Sequence, residues 1–214
     1  MNKMNKMNKM IMMAAVAGIA SGAWAQNASL SLVASQATID CTQTSVFTLS
    51  VYGDADFGTH ITGMAISLNA MAGGAIIQDV VASAPSWGAL GFEDLGHTGG
   101  GNSGMVMGQI VFLPFIQPDA GSAIGNGPVL LGSFAVTISS SPTYQTLEWT
   151  LGGGIGTFAM EVIDVNGNPD GSPPGEVTQI AAPDFGGASV TICPSPSSAA
   201  LLGLAGVVAG RRRR

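Results

Sequence analysis

Apolar and polar residues alternate along most of the chain, in short runs separated by clusters of Gly, Pro, Asn, Asp and Ser. The clearest run is VFTLSVY, in which Phe47, Leu49 and Val51 point to one side while Thr48 and Ser50 point to the other. A repeat of two residues is typical of a half-buried β-strand. Helical periodicity is hard to find, so the pattern predicts an all-β fold.

Eight other runs have a β-prone composition: SLSLVA, ITGMAISLN, AIIQDVVA, MVMGQIVFL, VLLGSFAVTI, QTLEWTL, GTFAMEVID and GASVTIC. With the first run they give about nine strands, spaced as in an all-β sandwich. We therefore predict a single β-sandwich domain over residues 26–193, flanked by an N-terminal signal helix and a C-terminal hydrophobic helix. The glycine-rich stretch HTGGGNSG is predicted to be a flexible surface loop.

Two stretches, SLSLVASQATIDCTQTSVFTLSVYG near the start and NGPVLLGSFAVTIS later, resemble strands of cohesin-like and carbohydrate-binding-module-like sandwiches. The resemblance is one of pattern and extends over much of the domain. It implies a jelly-roll or cohesin-like sandwich that binds polysaccharide or another surface protein.

Residues 1–25 have the order of a secretory signal peptide. MNKMNKMNKM is positively charged, IMMAAVAGIA is apolar, and Ala23 and Ala25 are the small residues that a signal peptidase reads. Cleavage after Ala25 would make Gln26 the first residue of the mature protein. The alternative is a retained membrane helix, for which the apolar run is short. Export through the inner membrane is therefore expected.

The positive charges lie only at the two ends of the chain. All seven Lys and Arg fall within the first nine or the last four residues, whereas all thirteen Asp and Glu lie between Met10 and Gly210. The net charge of −6 therefore hides a central region of about −13. Such a region repels phosphate backbones, which excludes nucleic acid as a partner, and it attracts divalent cations.

Cys41 and Cys193 are the two cysteines, and each ends a β-like run, ATIDC and ASVTIC. In an oxidising compartment the simplest expectation is one disulfide between them. It would close a loop of about 150 residues, which the chain-entropy model values at roughly 4–5 kcal/mol. Alternatively the two cysteines stay apart, and Cys193, next to Pro194, takes part in processing of the tail.

Paired carboxylates about 5–10 Å apart are the machinery of glycoside hydrolysis, and Glu93, Glu148 and Glu161 are the candidates. Glu148 stands beside Trp149, but neighbouring residues of a strand point to opposite faces, so one of the two belongs to the core. Trp87 is the only other tryptophan of the domain, whereas a sugar-binding platform usually has several exposed aromatic residues. The sequence therefore favours a protein that is not an enzyme.

A serine-hydrolase arrangement has little support. The histidines are His60 and His97, no HExxH motif occurs, and GNSGM around Ser103 does not match GxSxG. A trio of Ser103, His97 and Asp94 is conceivable because the three residues are close in sequence. A surface loop is the favoured interpretation of this stretch.

The stretch DVNGNPDG places oxygen-bearing side chains at alternate positions and resembles the calcium loops of EF-hand and dockerin repeats. The ligands would be Asp164, Asn166, Asn168 and Asp170. The stretch departs from that pattern because its sixth position is Pro169 instead of Gly and its twelfth is Gly175, with Glu176 one residue late. A hairpin turn at the Asn-Gly pair is the favoured alternative. YGDADFG, with Asp54 and Asp56, is a weaker candidate, and no other cofactor is expected.

The C-terminal stretch CPSPSSAALLGLAGVVAGRRRR combines a proline motif, a short apolar run and an arginine cluster. It resembles the PEP-CTERM sorting signal of exosortase systems in Gram-negative and planctomycete-type bacteria. The matching residues are Pro194, Ser195, Pro196, Arg211, Arg212, Arg213 and Arg214. Ser195 stands where the name-giving motif has Glu, which leaves the enzyme subtype open. The resemblance implies that an exosortase-like membrane enzyme processes residues 194–214, so that membrane contact is transient; a plain tail anchor and a sorting tail with a processed cysteine are the alternatives.

These observations favour an exported, non-catalytic protein of the cell surface or extracellular matrix, with a structural or adhesive role. Exopolysaccharide, other matrix components and Ca²⁺ are the expected partners. The alternatives are a secreted hydrolase that acts on polysaccharide through Glu148 or Glu161 and a plainly tail-anchored surface protein.

Overall fold

The computed structural model describes residues 27–40, 43–111, 116–125, 127–141, 143–153, 155–166 and 175–193. The strands within these ranges are β1 (Ala28–Ala34), β2 (Thr38–Asp40), β3 (Ser45–Ala55), β4 (His60–Ala72), β5 (Ile77–Ser83), β6 (Glu93–Asp94), β7 (His97–Thr98), β8 (Gly101–Gly108), β9 (Val129–Ile138), β10 (Gln145–Gly152), β11 (Met160–Ile163), β12 (Val177–Ile180), β13 (Asp184–Phe185) and β14 (Gly187–Cys193). The short 3₁₀ helices are Gly74–Ile76, Ser86–Gly91 and Ala120–Ser122. None of the helices in these ranges is long and apolar enough to cross a bilayer. The signal and tail helices predicted from the sequence fall outside the described residues.

The strands form two sheets that pack face to face. The first sheet has the order β13-β1-β3-β9-β5. The second has the order β12-β11-β4-β10-β14-β2, and β8 also pairs with β4 and carries β6 and β7. Two strand pairs are parallel, β1 with β13 and β2 with β14, and the other recorded pairs are antiparallel. The predicted all-β sandwich is therefore confirmed.

The core lies between the inner faces of the two sheets. Phe47, Leu49 and Val51 are buried there, as the alternation in β3 predicted, and the residues between them lie on the outer face. Trp149 of the second sheet meets Phe47 edge-on, with ring centroids 5.7 Å apart. Side chains from both sheets thus interlock across the sandwich.

A β-bulge allows the long strand β4 to keep its apolar residues inside. The pairing of β11 with β4 skips Thr62, which is the extra residue of the bulge. The alternation shifts by one residue at this point, so Ile61 and Met64 are both fully buried in the core. Thr62 lies beside β11, where its hydroxyl contacts Glu161.

The described part of the chain contains fourteen strands, where the sequence indicated about nine. Each predicted run contains a strand and ATIDC corresponds to β2, but the short strands β6, β7, β12 and β13 were missed. The stretch HTGGGNSG was wrongly predicted as a loop: it forms the β7–β8 hairpin. The turn residues Gly99 and Gly100 both have positive φ, 51° and 93°, which suits the type I′ turn that joins antiparallel strands. Trp149 Nε1 donates to the Gly100 carbonyl at 3.1 Å and ties the hairpin to the core.

Candidate ligand-binding site at the acidic end of the sandwich

A surface concavity of about 460 Å³ lies where β1 begins and β3 ends. Its lining residues are Asn27, Ala28, Ser29, Asp54, Ala55, Asp56 and Asp184. Ser29 is central because β1 pairs with β3 on one side and with β13 on the other. Its register partners are Asp54 in β3 and Asp184 in β13. Directly paired residues share a face of the sheet, so these three side chains form a row on the outer face.

Two carboxylates of this concavity are open to a ligand. The third, Asp56, is held by Asn27, whose backbone N–H donates to Oδ1 at 2.9 Å and whose Nδ2 donates to Oδ2 at 3.0 Å. Within the described part of the chain, nothing donates a hydrogen bond to the side chain of Asp54 or Asp184. Their Cα atoms lie about 10 Å apart, which is two strand spacings. Ionised carboxylates only accept hydrogen bonds, so a fitting ligand supplies donors or positive charge.

The calcium candidates Asp164 and Asn166 follow β11. Asp164 is only 3% exposed, and its Oδ1 accepts a hydrogen bond from the Asn166 backbone N–H at 2.8 Å. Asp164 N–H donates to the Glu176 carbonyl at 3.3 Å, and Gly175 N–H donates back to the Asp164 carbonyl. These bonds join the two ends of the segment between the antiparallel strands β11 and β12. The turn predicted at the Asn-Gly pair includes residue 167, which lies outside the described residues. The other two predicted ligands lie outside the described residues: Asn168 and Asp170.

In the ranges given above, no three His, Cys, Asp or Glu side chains are grouped so that they hold a metal ion. The four-ligand calcium set therefore stays a prediction.

The three glutamates proposed for hydrolysis do not meet. Glu148 pairs with Ala72 and Glu161 with Gly63, nine residues apart on the same strand β4, which is a separation of roughly 25–30 Å. Glu93 lies on β6, and β8 and β4 separate it from β11. A glycosidase pair requires about 5–10 Å. These residues therefore do not form a hydrolytic pair.

Both tryptophans of the domain belong to the interior. Trp149 is buried and Glu148 is exposed, as expected for neighbours on one strand. Trp87 is also buried, and its Nε1 donates to the Leu130 carbonyl at 3.3 Å. Neither indole offers a surface for stacking a sugar.

Glu161 is satisfied by neutral groups. It is 8% exposed, and its two oxygens accept hydrogen bonds from Thr62 Oγ1 at 3.0 Å and from Gln179 Nε2 at 3.1 Å. Sequence reasoning missed this contact. The sequence nevertheless contained a signal for it. A carboxylate buried in a region without Lys or Arg must take neutral N–H and O–H groups as hydrogen-bond partners.

Asp94 is engaged in the same way. Its Oδ2 accepts from a backbone amide of β5 at 2.9 Å, and its Oδ1 accepts from Gly96 N–H at 2.8 Å and from Asn102 Nδ2 at 2.9 Å. Asn102 points inward from β8, so the next residue, Ser103, points outward and is exposed. The trio of Ser103, His97 and Asp94 is therefore not assembled.

His60 lies at the start of β4 beside Thr59. Thr59 Oγ1 donates to the Ile163 carbonyl at 3.2 Å and accepts from Val165 N–H at 3.1 Å. With its own proton used, Oγ1 accepts from His60 Nδ1 at 3.1 Å, which assigns the Nδ1–H tautomer. Burial lowers the pKa of His60 below its usual value.

The remaining predicted site residues lie at the end of a described range or outside the described ranges. Cys193 ends β14, and its register partner is Asp40, the last residue of β2. The disulfide, cleavage and sorting residues outside the described ranges are Cys41, Ala23, Ala25, Gln26, Pro194, Ser195, Pro196 and Arg211–Arg214.

No family model matches the chain, and no curated protein matches it. Among solved structures it is similar to the seventh ScaB type I cohesin from Pseudobacteroides cellulosolvens, with 13% identity, a TM-score of 0.42, and coverage of 78% of this chain and 93% of that one. A non-cellulosomal cohesin from the archaeon Archaeoglobus fulgidus matches with 14% identity, a TM-score of 0.42 and coverage of 79% and 95%. A type I cohesin–dockerin complex from Clostridium thermocellum matches with 11% identity, a TM-score of 0.42 and coverage of 82% and 99%. The likeness concerns the β-sandwich architecture alone.

Proposed function

We propose that this chain is an exported, non-catalytic β-sandwich module of a cell surface or extracellular matrix that binds polysaccharide through its acidic concavity. A PEP-CTERM-like tail delivers it. One observation carries the proposal. The concavity lies at one end of the sandwich, and β14 leads the chain towards the tail at the opposite end.

This placement follows from the path of β14. Gly186 N–H donates to the Leu30 carbonyl at 2.7 Å, so β14 starts beside the beginning of β1, next to the concavity. From Gly187 to Cys193 the strand then covers about 20 Å at about 3.3 Å per residue. A module attached through its C-terminal end would therefore present the concavity away from its attachment.

The chemistry of the concavity favours a neutral or amino-substituted glycan. Sugar hydroxyls donate to carboxylates, and Asp54, Ser29 and Asp184 offer a row of such partners about 10 Å long. Anionic polymers are disfavoured, because no Lys or Arg occurs between Met10 and Gly210 to pair with them.

A glycan array tests this proposal, with Asp54→Asn and Asp184→Asn as variants and Glu148→Gln as the matched control. Each variant removes one negative charge from an outer face, but Glu148 lies on the other sheet. We expect the first two variants to weaken binding about tenfold and the control to bind normally. Equal binding by all four proteins would contradict the assignment of the concavity.

Calcium binding by the Asp164 loop is the second part of the proposal. The nearly buried Asp164 carboxylate and the joined ends of the segment support it, because a cation would compensate charge at this point. Ca²⁺ should raise the Tm of the protein, EDTA should reverse the rise, and Asp164→Asn should abolish it. A Tm that does not respond to Ca²⁺ would remove calcium from the proposal and leave the glycan site standing.

Hydrolysis of polysaccharide is the second candidate function, with Asp54 and Asp184 as the carboxylates in place of Glu148 and Glu161. The spacing of Asp54 and Asp184 allows their carboxylates to approach the separation used by glycosidases. A hydrolysis screen on the same glycans decides between the two functions. Turnover that Asp184→Asn abolishes would replace binding with catalysis as the function.

Sorting by the tail is tested on the protein isolated from its native host. Mass spectrometry should show a C-terminus without Arg211–Arg214. A protease other than trypsin is required, because no Lys or Arg occurs between Met10 and Gly210. An intact arginine end on abundant surface protein would contradict processing.

A further inference from the structure

Asn27 is fixed to the end of β3 by three hydrogen bonds. Its backbone N–H donates to Asp56 Oδ1 at 2.9 Å and its Nδ2 donates to Asp56 Oδ2 at 3.0 Å. In return, the Asp56 N–H donates to the Asn27 carbonyl at 3.1 Å. The next residue, Ala28, continues the contact as the register partner of Ala55. The chain that enters β1 is therefore held at the wall of the acidic concavity.

Cleavage after Ala25 creates a positive charge at this point, because the peptide N–H of Gln26 becomes an α-ammonium group. Three covalent bonds join its nitrogen to that of Asn27, so the two nitrogens lie at most about 4 Å apart. Since Asn27 N is 2.9 Å from Asp56 Oδ1, the ammonium lies within about 7 Å of this carboxylate in every conformation of Gln26. Successive main-chain nitrogens can also bind one anionic oxygen together, as in a backbone nest.

The side-chain charges around this point are all negative. Those that line the concavity are Asp54 and Asp56 at the end of β3 and Asp184 in β13, and neither histidine is among the lining residues. No Lys or Arg occurs between Met10 and Gly210. The new α-ammonium is therefore the cation that the mature chain itself brings to the concavity.

We propose that the α-ammonium of mature Gln26 pairs with Asp56 and is a built-in cation of the acidic concavity. Signal-peptide cleavage then completes the site, because the precursor has only a neutral N–H at this position. The pair compensates the charge of Asp56, while Asp54 and Asp184 keep their oxygens for a ligand. The inference rests on the proposed export of the chain, but it requires neither glycan nor Ca²⁺ binding.

The pKa of the α-amino group reports this pairing. It is ordinarily about 7.7–8.0, and a neighbouring carboxylate favours the charged form, so we expect about 8.5–9 in the exported protein at low salt. Lys3, Lys6 and Lys9 leave with the signal peptide, which makes the α-amine the only primary amine of the mature chain. The rate of amine-selective labelling, followed over pH, therefore gives the pKa of this group alone.

The test uses protein recovered after export from its host, together with three variants. Asp56→Asn removes the charge but keeps an oxygen for the Asn27 N–H, so it should return the pKa to about 7.7–8.0. Asn27→Ala removes the Nδ2 bond to Asp56 and keeps the charge, so the pKa should stay raised. Glu148→Gln, on the other sheet, controls for a general loss of negative charge and should also leave the pKa raised.

A normal pKa of about 7.7–8.0 in the unsubstituted protein would overturn the proposal, as would equal values for the unsubstituted protein and Asp56→Asn. A mature chain that begins at a residue other than Gln26 would overturn it too. So would a cyclised end, in which the α-nitrogen bonds to the side-chain carbonyl carbon of Gln26 and the amide nitrogen leaves as ammonia. Mass spectrometry of the N-terminal peptide detects both. A glycan array without binding would leave all of these results unchanged.

Discussion

Cys193 lies directly opposite Asp40 in the parallel pairing of β14 with β2, and Cys41 is the residue that follows Asp40 in the sequence. Strand partners are about 4.8 Å apart, so the residue that precedes Cys41 already lies at a Cα separation from Cys193 that suits a disulfide, about 4.4–6.8 Å. We therefore predict that exported protein carries the Cys41–Cys193 bond.

Intact mass spectrometry checks this prediction, because oxidation of two thiols removes two hydrogens. Cys41→Ser should lower the free energy of unfolding by roughly 2–4 kcal/mol, less than the chain-entropy value, since native strain reduces the gain. Cys193→Ser should have the same effect, and the double variant should be no worse than either. Two free thiols in protein recovered from the host would instead favour a separate role for Cys193 in tail processing.

Asn102→Ala should be among the most destabilising polar substitutions. Asn102 is 1% exposed, donates to the Val80 carbonyl and to Asp94 Oδ1, and accepts from Gly104 N–H. Truncation leaves these buried groups without partners, for an expected loss of about 2–3 kcal/mol in urea unfolding. Ser103→Ala is the matched control on the same strand and should change stability by less than about 0.5 kcal/mol. Similar losses for both variants would show that Asn102 does not hold the β5 edge.

The sequence was sufficient for the sandwich because its longer strands bury one side each. The alternation of Phe47, Leu49 and Val51 is a local property, and the buried face follows from it directly. Strands of two residues, such as Glu93–Asp94, have no period to detect and exist only because β8 lies beside them. The β7–β8 hairpin was missed because glycines at 99 and 100 suit both a loop and a tight turn.

The candidate site was less predictable because it depends on register between distant strands. Asp54 and Asp56 were noticed as neighbours in sequence, but Asp184 joins them only through the parallel pairing of β13 with β1. Conversely, Glu148 and Glu161 are close in sequence and far apart in the fold, because they pair with opposite ends of β4. No local pattern in a single sequence contains these registers.

Gly101→Ala should disrupt the contact between β8 and β4. A Cβ atom at Gly101 would overlap the Leu68 carbonyl oxygen, and a backbone atom within a sheet cannot move aside as a flexible side chain can. We expect a loss of at least about 2 kcal/mol in the free energy of unfolding. Gly156→Ala is the control, because a Cβ there meets nothing within 4 Å. Thermal unfolding of the two variants should therefore differ clearly; equal Tm values would contradict the close approach of these strands.

His60 should make the protein less stable in mild acid. Burial lowers its pKa in the folded state, so the unfolded chain binds a proton more readily than the folded one. Its contribution to the free energy of unfolding is therefore complete above the unfolded pKa of about 6.5 and is lost as the pH falls towards the folded pKa. His60→Gln keeps a donor for Thr59 Oγ1 but does not titrate, so it should lose less stability between about pH 7.5 and about pH 5.5 than the unsubstituted protein. His97→Gln, at an exposed position, is the matched control for the substitution itself. Parallel losses for the unsubstituted protein and His60→Gln in urea unfolding would show that His60 has the same pKa in both states.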